Sequence, residues 1–145
     1  MIRLVLDTNV CLDLFVFNDT RWQPIIAALE NQSIKAITSA ECRDEWLAVL
    51  HYAHLPVTED TRADFMKRFD DTIAVENPPV VQIILPRCTD KDDQKFLEIA
   101  RDAKLEILVT KDKALLKLAR KTRTLGLFNI MTPEALVRSL ASAEM

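Results

Sequence analysis

The chain has 145 residues, close to the usual size of one domain, and 49% hydrophobic against 28% charged residues is the balance of an ordinary folded protein rather than a disordered or fibrous one. Its formal charge of −3 argues against a protein that coats nucleic acid by bulk electrostatics, since neutralising phosphates needs Lys and Arg in excess. The segment Met1 to Asp7 reaches a charge too early for a signal sequence and later apolar runs fall short of the roughly 18 residues of a membrane span, so one cytoplasmic domain, 1–145, with no membrane attachment is expected.

Residues 2–6 read as a short apolar strand that stops at Asp7-Thr8-Asn9. An apolar segment at 10–17 follows, then a helix near 22–32 in which Trp22, Ile25, Ile26 and Leu29 recur at helical spacing. A second strand, Ile34 to Thr38, leads through the N-cap Ser39 into a helix near 40–53. Thr58 caps another near 59–74 with Phe65, Phe69 and Ile73 on one face. Asn77-Pro78-Pro79 breaks that helix, and Val80 to Leu85 is expected to form a strand. Then come a helix near 91–103 opened by Thr89 or Asp90, a strand Glu106 to Val109, and a helix from Asp112 to about 121. A last strand near 127–131 and a helix signalled by Thr132-Pro133-Glu134 complete the series.

Strands alternating with helices imply a three-layer α/β/α sandwich around a central parallel sheet. In such sheets the functional crevice lies beyond the carboxyl ends of the strands, where strand order reverses. Gly126 is the single glycine, which excludes both GxGxxG and GxxxxGK[ST] phosphate loops. Cys11, Cys42 and Cys88 are odd in number with no CxxC, and read as core residues.

Asp7 and Asp112 each follow a strand, so adjacent parallel strands would deliver both carboxylates to one edge; each equally suits a cap on the helix that follows. Asp93 lies near the middle of the stripe formed by Phe96, Leu97 and Ala100, with Asp90 and Asp92 on its flanks, and helix-dipole stabilisation does not explain an inward acid. Glu45 falls at the edge of the face made by Cys42, Trp46, Val49 and Leu50, a position that suits either a carboxylate leaning into a crevice or a solvated glutamate. Four converging carboxylates repel by about 3 kcal/mol per pair at about 5 Å and an effective dielectric near 20. A cation is the natural remedy, and oxygen-only ligands suit Mg²⁺ or Mn²⁺ rather than zinc.

Taken together, Val5-Leu6-Asp7-Thr8-Asn9, the segment Ser39 to Leu50 containing Glu45, Cys88 to Leu97 containing Asp93, and Leu108-Val109-Thr110-Lys111-Asp112 resemble the PIN-domain family, in particular its VapC-like branch of toxin components of toxin–antitoxin pairs. The resemblance implies a PIN-like parallel sheet between helices, a pocket binding Mg²⁺ or Mn²⁺, and endoribonuclease activity. Carried over, Asp7, Glu45, Asp93 and Asp112 are the catalytic, metal-holding acids; Asn9 and Thr110 support the pocket by hydrogen bonds, and Asp90 adds an outer contact. A small antitoxin that covers the pocket and a homodimer are the partners it implies. Many relatives have Gly before the last acid and another Asp two residues after it, where this chain has Lys111 and Ala114.

The stretch 104–123 holds seven Lys and Arg, among them Lys111, Lys117 and Arg120, against Glu106 and Asp112. Such an excess suits either a solvated helix face or the track of an RNA backbone, with those three as candidate phosphate contacts. Two rival readings stand beside the nuclease. One is a PIN-like module that binds RNA or protein without cutting, which Lys111 would favour. The other is a haloacid-dehalogenase-type phosphatase, against which Asn9 occupies the place of that family's second acid.

Overall fold

The structure, a computed structural model, describes residues 1–143. The apolar runs form five parallel strands: β1 (Ile2–Leu6), β2 (Ile34–Thr38), β3 (Ile73–Val75), β4 (Ile107–Val109) and β5 (Asn129–Met131), in the spatial order β3-β2-β1-β4-β5. A parallel sheet covered on both faces explains why β1 reads as a nearly continuous apolar run, with Leu4, Val5 and Leu6 all buried. Leu4 and Leu6 turn to one core, while Val5 turns to the other with Ile37 and Leu108.

The first core lies beneath α1 (Thr8–Phe15), α2 (Gln23–Glu30), α3 (Ala40–Val49), α4 (Glu59–Thr72) and α8 (Pro133–Ala143). At its centre Phe15, Trp46 and Phe69 form an aromatic cluster, with Trp46 stacked on Phe69 at 5.0 Å and Phe15 edge-on to both. The second core is filled from α5 (Gln94–Asp102), α6 (Lys113–Leu116) and α7 (Ala119–Thr124), with Cys42 and Cys88 among its residues. Helices therefore cover both faces of the sheet.

Three elements differ from the sequence reading. The chain passes from α4 into β3 without a loop: Ile73 N–H closes the helix on Phe69 O, then Ile73 turns extended and pairs with Ala36. Helical spacing carries Ile73 on the face of Phe69, so the periodicity alone favours continued helix, and only pairing with β2 reveals the strand.

Conversely, Val80 to Leu85 is not a strand. Pro78 and Pro79 lack ladder donors, and β3 already occupies the edge beside β2. Instead this segment runs as a strap over α5. Val81 N–H donates to Asp102 Oδ1 (3.0 Å), Arg101 Nη1 to the Ile83 carbonyl (3.0 Å) and Gln94 Nε2 to the Pro86 carbonyl (3.1 Å), while Gln94 Oε1 accepts from Cys88 N–H (2.8 Å). The expected helix from Asp112 to 121 is likewise two short helices, interrupted at Lys117-Leu118.

β1 leads to β2 and β3 on one side, and β4 and β5 lie on the other, so strand order reverses between β1 and β4. The crevice at their carboxyl ends is the place for a site.

Gly126 ends α7 at φ +70°, with Leu127 N–H donating to Thr122 O and Gly126 N–H to Arg123 O, each at 3.0 Å. An added Cβ meets no atom there, so the cost of a side chain is conformational alone. Gly126→Ala is expected to destabilise the fold by about 1 kcal/mol, seen as a lower urea midpoint at unchanged slope.

Candidate active site

Asp7 is the first residue beyond β1, where its N–H donates to Val109 O (2.9 Å) and places it beside the end of β4. It begins α1 but makes no side-chain capping bond. Its Oδ2 instead accepts from Thr110 Oγ1 at 2.7 Å, and the same Thr110 oxygen accepts from Asp112 N–H at 2.9 Å. Fully buried Thr110 thus bridges the two strand ends at the point of reversal.

A second group approaches from α5. Asp93 closes a 3-10 turn, Lys91–Asp93, and burying Phe96, Leu97 and Ala100 on the sheet turns it inward, leaving it 8% exposed. One carboxylate oxygen from each of Asp90, Asp93 and Asp112 lies within 4.8 Å of the others. Asp90 and Asp112 each spend an oxygen on capping, accepting from Asp92 N–H (3.0 Å) and Ala114 N–H (2.8 Å) respectively. Asp93 Oδ2 is buried without a hydrogen-bond partner among the described residues. Asp90, expected only as an outer contact, is a full member of this trio, and Asp7 and Glu45 stand outside it.

Glu45 leans from α3 toward Asp7. Thr8 Oγ1 donates to its Oε2, and Lys95 Nζ pairs with its Oε1 at 2.9 Å. The sequence reading missed Thr8 and Lys95. Thr8 had a signal, being the residue after Asp7 at a strand end; Lys95 looked like an ordinary surface lysine.

Asn9 lies exposed in the first turn of α1 and bonds no acid among the described residues, whereas its neighbour Thr8 contacts Glu45. Lys111 points away from the acids, paired with Asp13 Oδ2 at 2.7 Å, which also accepts from Trp22 Nε1. Lys117 and Arg120 are exposed on the helices that leave Asp112, and neither they nor Lys113, Lys121 and Arg123 pair with an acid among the described residues.

A sequence profile described as the PIN domain matches residues 3–114, a span that contains all five acids. The chain belongs to the PIN domain family. Among solved structures, the PIN domain is similar to a chain of VapBC2 from Rickettsia felis bound to a DNA fragment from their promoter, with a TM-score of 0.59, 11% identity, and coverage of 90% of this chain and 98% of that one. The fold is therefore shared. No curated protein matches the chain.

The electrostatics of this PIN domain reflect crowding. Burial pushes the Asp93 carboxyl up to about 8, reinforced by hydrogen bonding to Asp112 and by the charges of Asp7, Asp112 and Asp90. Asp112 is held below the usual carboxylate range by that same contact with Asp93. The two carboxyls behave as a pair sharing a proton. Burial also raises Asp7, against the stabilising Thr110 bond. Burial lifts the Cys42 thiol to about 11 and Cys11 well above its ordinary value, so neither supplies a thiolate at neutral pH. An oxygen-only set of carboxylates with one buried oxygen lacking a donor fits a hard divalent cation, which would take the place of the shared proton.

The sign of the pH effect follows. Between about pH 4 and 8 folded Asp93 keeps a proton that the unfolded chain has released, so stability falls as pH rises through that interval; Asp7 acts in the same direction. Asp112 contributes stability above about pH 4 that is lost only in acid. The melting temperature of metal-free protein should decline from about pH 5 to about pH 8, Asp93→Asn should remove most of that slope, and Mg²⁺ should stabilise more at the higher pH. A slope unchanged by Asp93→Asn in calorimetric scans would remove this assignment.

Proposed function

We propose that this PIN domain is a metal-dependent endoribonuclease that hydrolyses RNA phosphodiester bonds, the toxin component of a toxin–antitoxin pair. The observation that carries the reading is the Asp93 carboxylate, which converges with Asp90 and Asp112 where strand order reverses and has one buried oxygen without a donor among the described residues.

Asp7, Asp90, Asp93 and Asp112 would hold Mg²⁺ or Mn²⁺, with Glu45 at the rim. When bound, such an ion supplies an activated water and neutralises charge at the phosphate. Thr110 keeps Asp7 aimed at the crevice while positioning the Asp112 main chain, so one hydroxyl fixes the spacing of two acids from different strands. No side chain is needed as nucleophile, in keeping with the raised thiols.

Lys113, Lys117, Arg120 and Lys121, which pair with no acid among the described residues, begin directly after Asp112 and suit an RNA backbone passing the acids. Lys111 is engaged by Asp13, so its ammonium would have to leave that pair to reach a phosphate or the acids. The rival reading, a PIN-like module that binds RNA or protein without cutting, predicts no Mg²⁺- or Mn²⁺-dependent cleavage of a labelled RNA. An antitoxin covering the crevice and a second copy of the chain are the protein partners that complete this reading, and the chain shares its fold with a chain of VapBC2.

Asp7→Asn should lower cleavage of a labelled RNA in Mg²⁺ or Mn²⁺ by roughly 100-fold or more while the circular dichroism spectrum is unchanged and the melting temperature of the metal-free protein does not fall. Retained cutting would refute the site. For the basic face, Lys117→Glu with Arg120→Glu should weaken RNA binding and flatten the dependence of log affinity on log salt by about 1 to 1.5. An unaltered salt slope would mean a merely solvated helix face.

A further inference from the structure

We infer that the Lys95 ammonium acts as a built-in cation at Glu45, standing where a second metal ion would bind, so that the acidic crevice takes a single divalent ion. The inference rests on the metal-binding reading above and concerns how the chain divides its acids.

The five carboxylates fall into two groups. Asp90, Asp93 and Asp112 converge on one another, and Asp93 Oδ2 lacks a donor among the described residues. Glu45 lies apart and has both oxygens engaged, Oε2 by Thr8 Oγ1 and Oε1 by Lys95 Nζ at 2.9 Å. Asp7 stands between the groups and feels the charges of both Glu45 and Asp112. One group is therefore short of positive charge, while the other already has it.

The position of Lys95 is unusual for a lysine. Its side chain is 11% exposed, although this residue type normally keeps its head in water. It also lies in the first turn of α5, where the helix dipole disfavours a cation. Two acceptors compensate, Glu45 and the carbonyl of Asp92, and they pin the ammonium from two sides. The turn that buries Asp93 is the one that aims Lys95, so a single local conformation sets both an acid short of charge and a fixed positive charge. A divalent ion at Glu45 would have to displace this ammonium or bind against it.

The test is stoichiometry of Mn²⁺ binding to metal-free protein, measured calorimetrically and by electron paramagnetic resonance of the free ion, without any cleavage assay. Wild type should bind one ion per chain. Lys95→Met should bind two, Lys95→Arg should remain at one, and Lys95→Met combined with Glu45→Gln should return to one. If Lys95→Met is poorly folded, Lys95→Gln replaces it under the same expectation of two. Two ions on wild type, or one on a folded neutral variant, would overturn the role of Lys95 while leaving the metal site standing. No binding by wild type would overturn the metal-binding reading itself and this inference with it.

Discussion

The structure depends on holding several carboxylates at one edge of a sheet against their mutual repulsion. Two ionised carboxylates about 5 Å apart repel by about 3 kcal/mol at an effective dielectric near 20, several-fold more than an ordinary surface contact contributes. The strands that carry the acids are correspondingly well anchored. β1 is buried on both faces, Ile107, Leu108 and Val109 of β4 are all buried, and Thr110 locks their ends together. Asp7 cannot retreat into solvent without shifting a strand that belongs to both cores.

Relief of the repulsion is distributed among several devices. Thr110 supplies a donor to Asp7, helix-opening amides supply donors to Asp90 and Asp112, and Thr8 with Lys95 engages Glu45. Among these acids Asp93 alone receives no donor from the described residues, and its burial gives it a high affinity for a proton. An acid left short in this way is a poor element of stability and a good ligand. Capping and metal binding are compatible because a carboxylate has two oxygens, one for the helix amide and one for the crevice.

The strap from residue 77 to residue 90 has a positional role. It carries the chain from the β3 edge back across the second face of the sheet and delivers it to the turn that holds Asp90 and Asp93. Because α5 side chains bond its backbone, the strap and α5 form one unit, and the acids at the head of α5 inherit the rigidity of both. The ladder hydrogen bonds expected for this stretch are replaced by bonds from Asp102, Arg101 and Gln94.

Much of the architecture was legible because it is local. Alternating apolar runs and caps identified β1, β2, β4, β5 and most helices, and the helical wheel turned Asp93 inward from Phe96, Leu97 and Ala100 alone. The order Asp7, Glu45, Asp93, Asp112 pointed to the family. What the tertiary structure decided is nonlocal. Whether Ile73 continues a helix or starts a strand depends on β2, and whether Val80 to Leu85 is strand or strap depends on which sheet edge is already taken. Lys95 is unremarkable until α3 brings Glu45 to it, Lys111 is ambiguous until α1 brings Asp13, and only packing brings Glu45 to Thr8 rather than to its neighbour Asn9. Periodicity encodes which way a side chain faces along its own element; which charge it meets is set only when distant elements pack together.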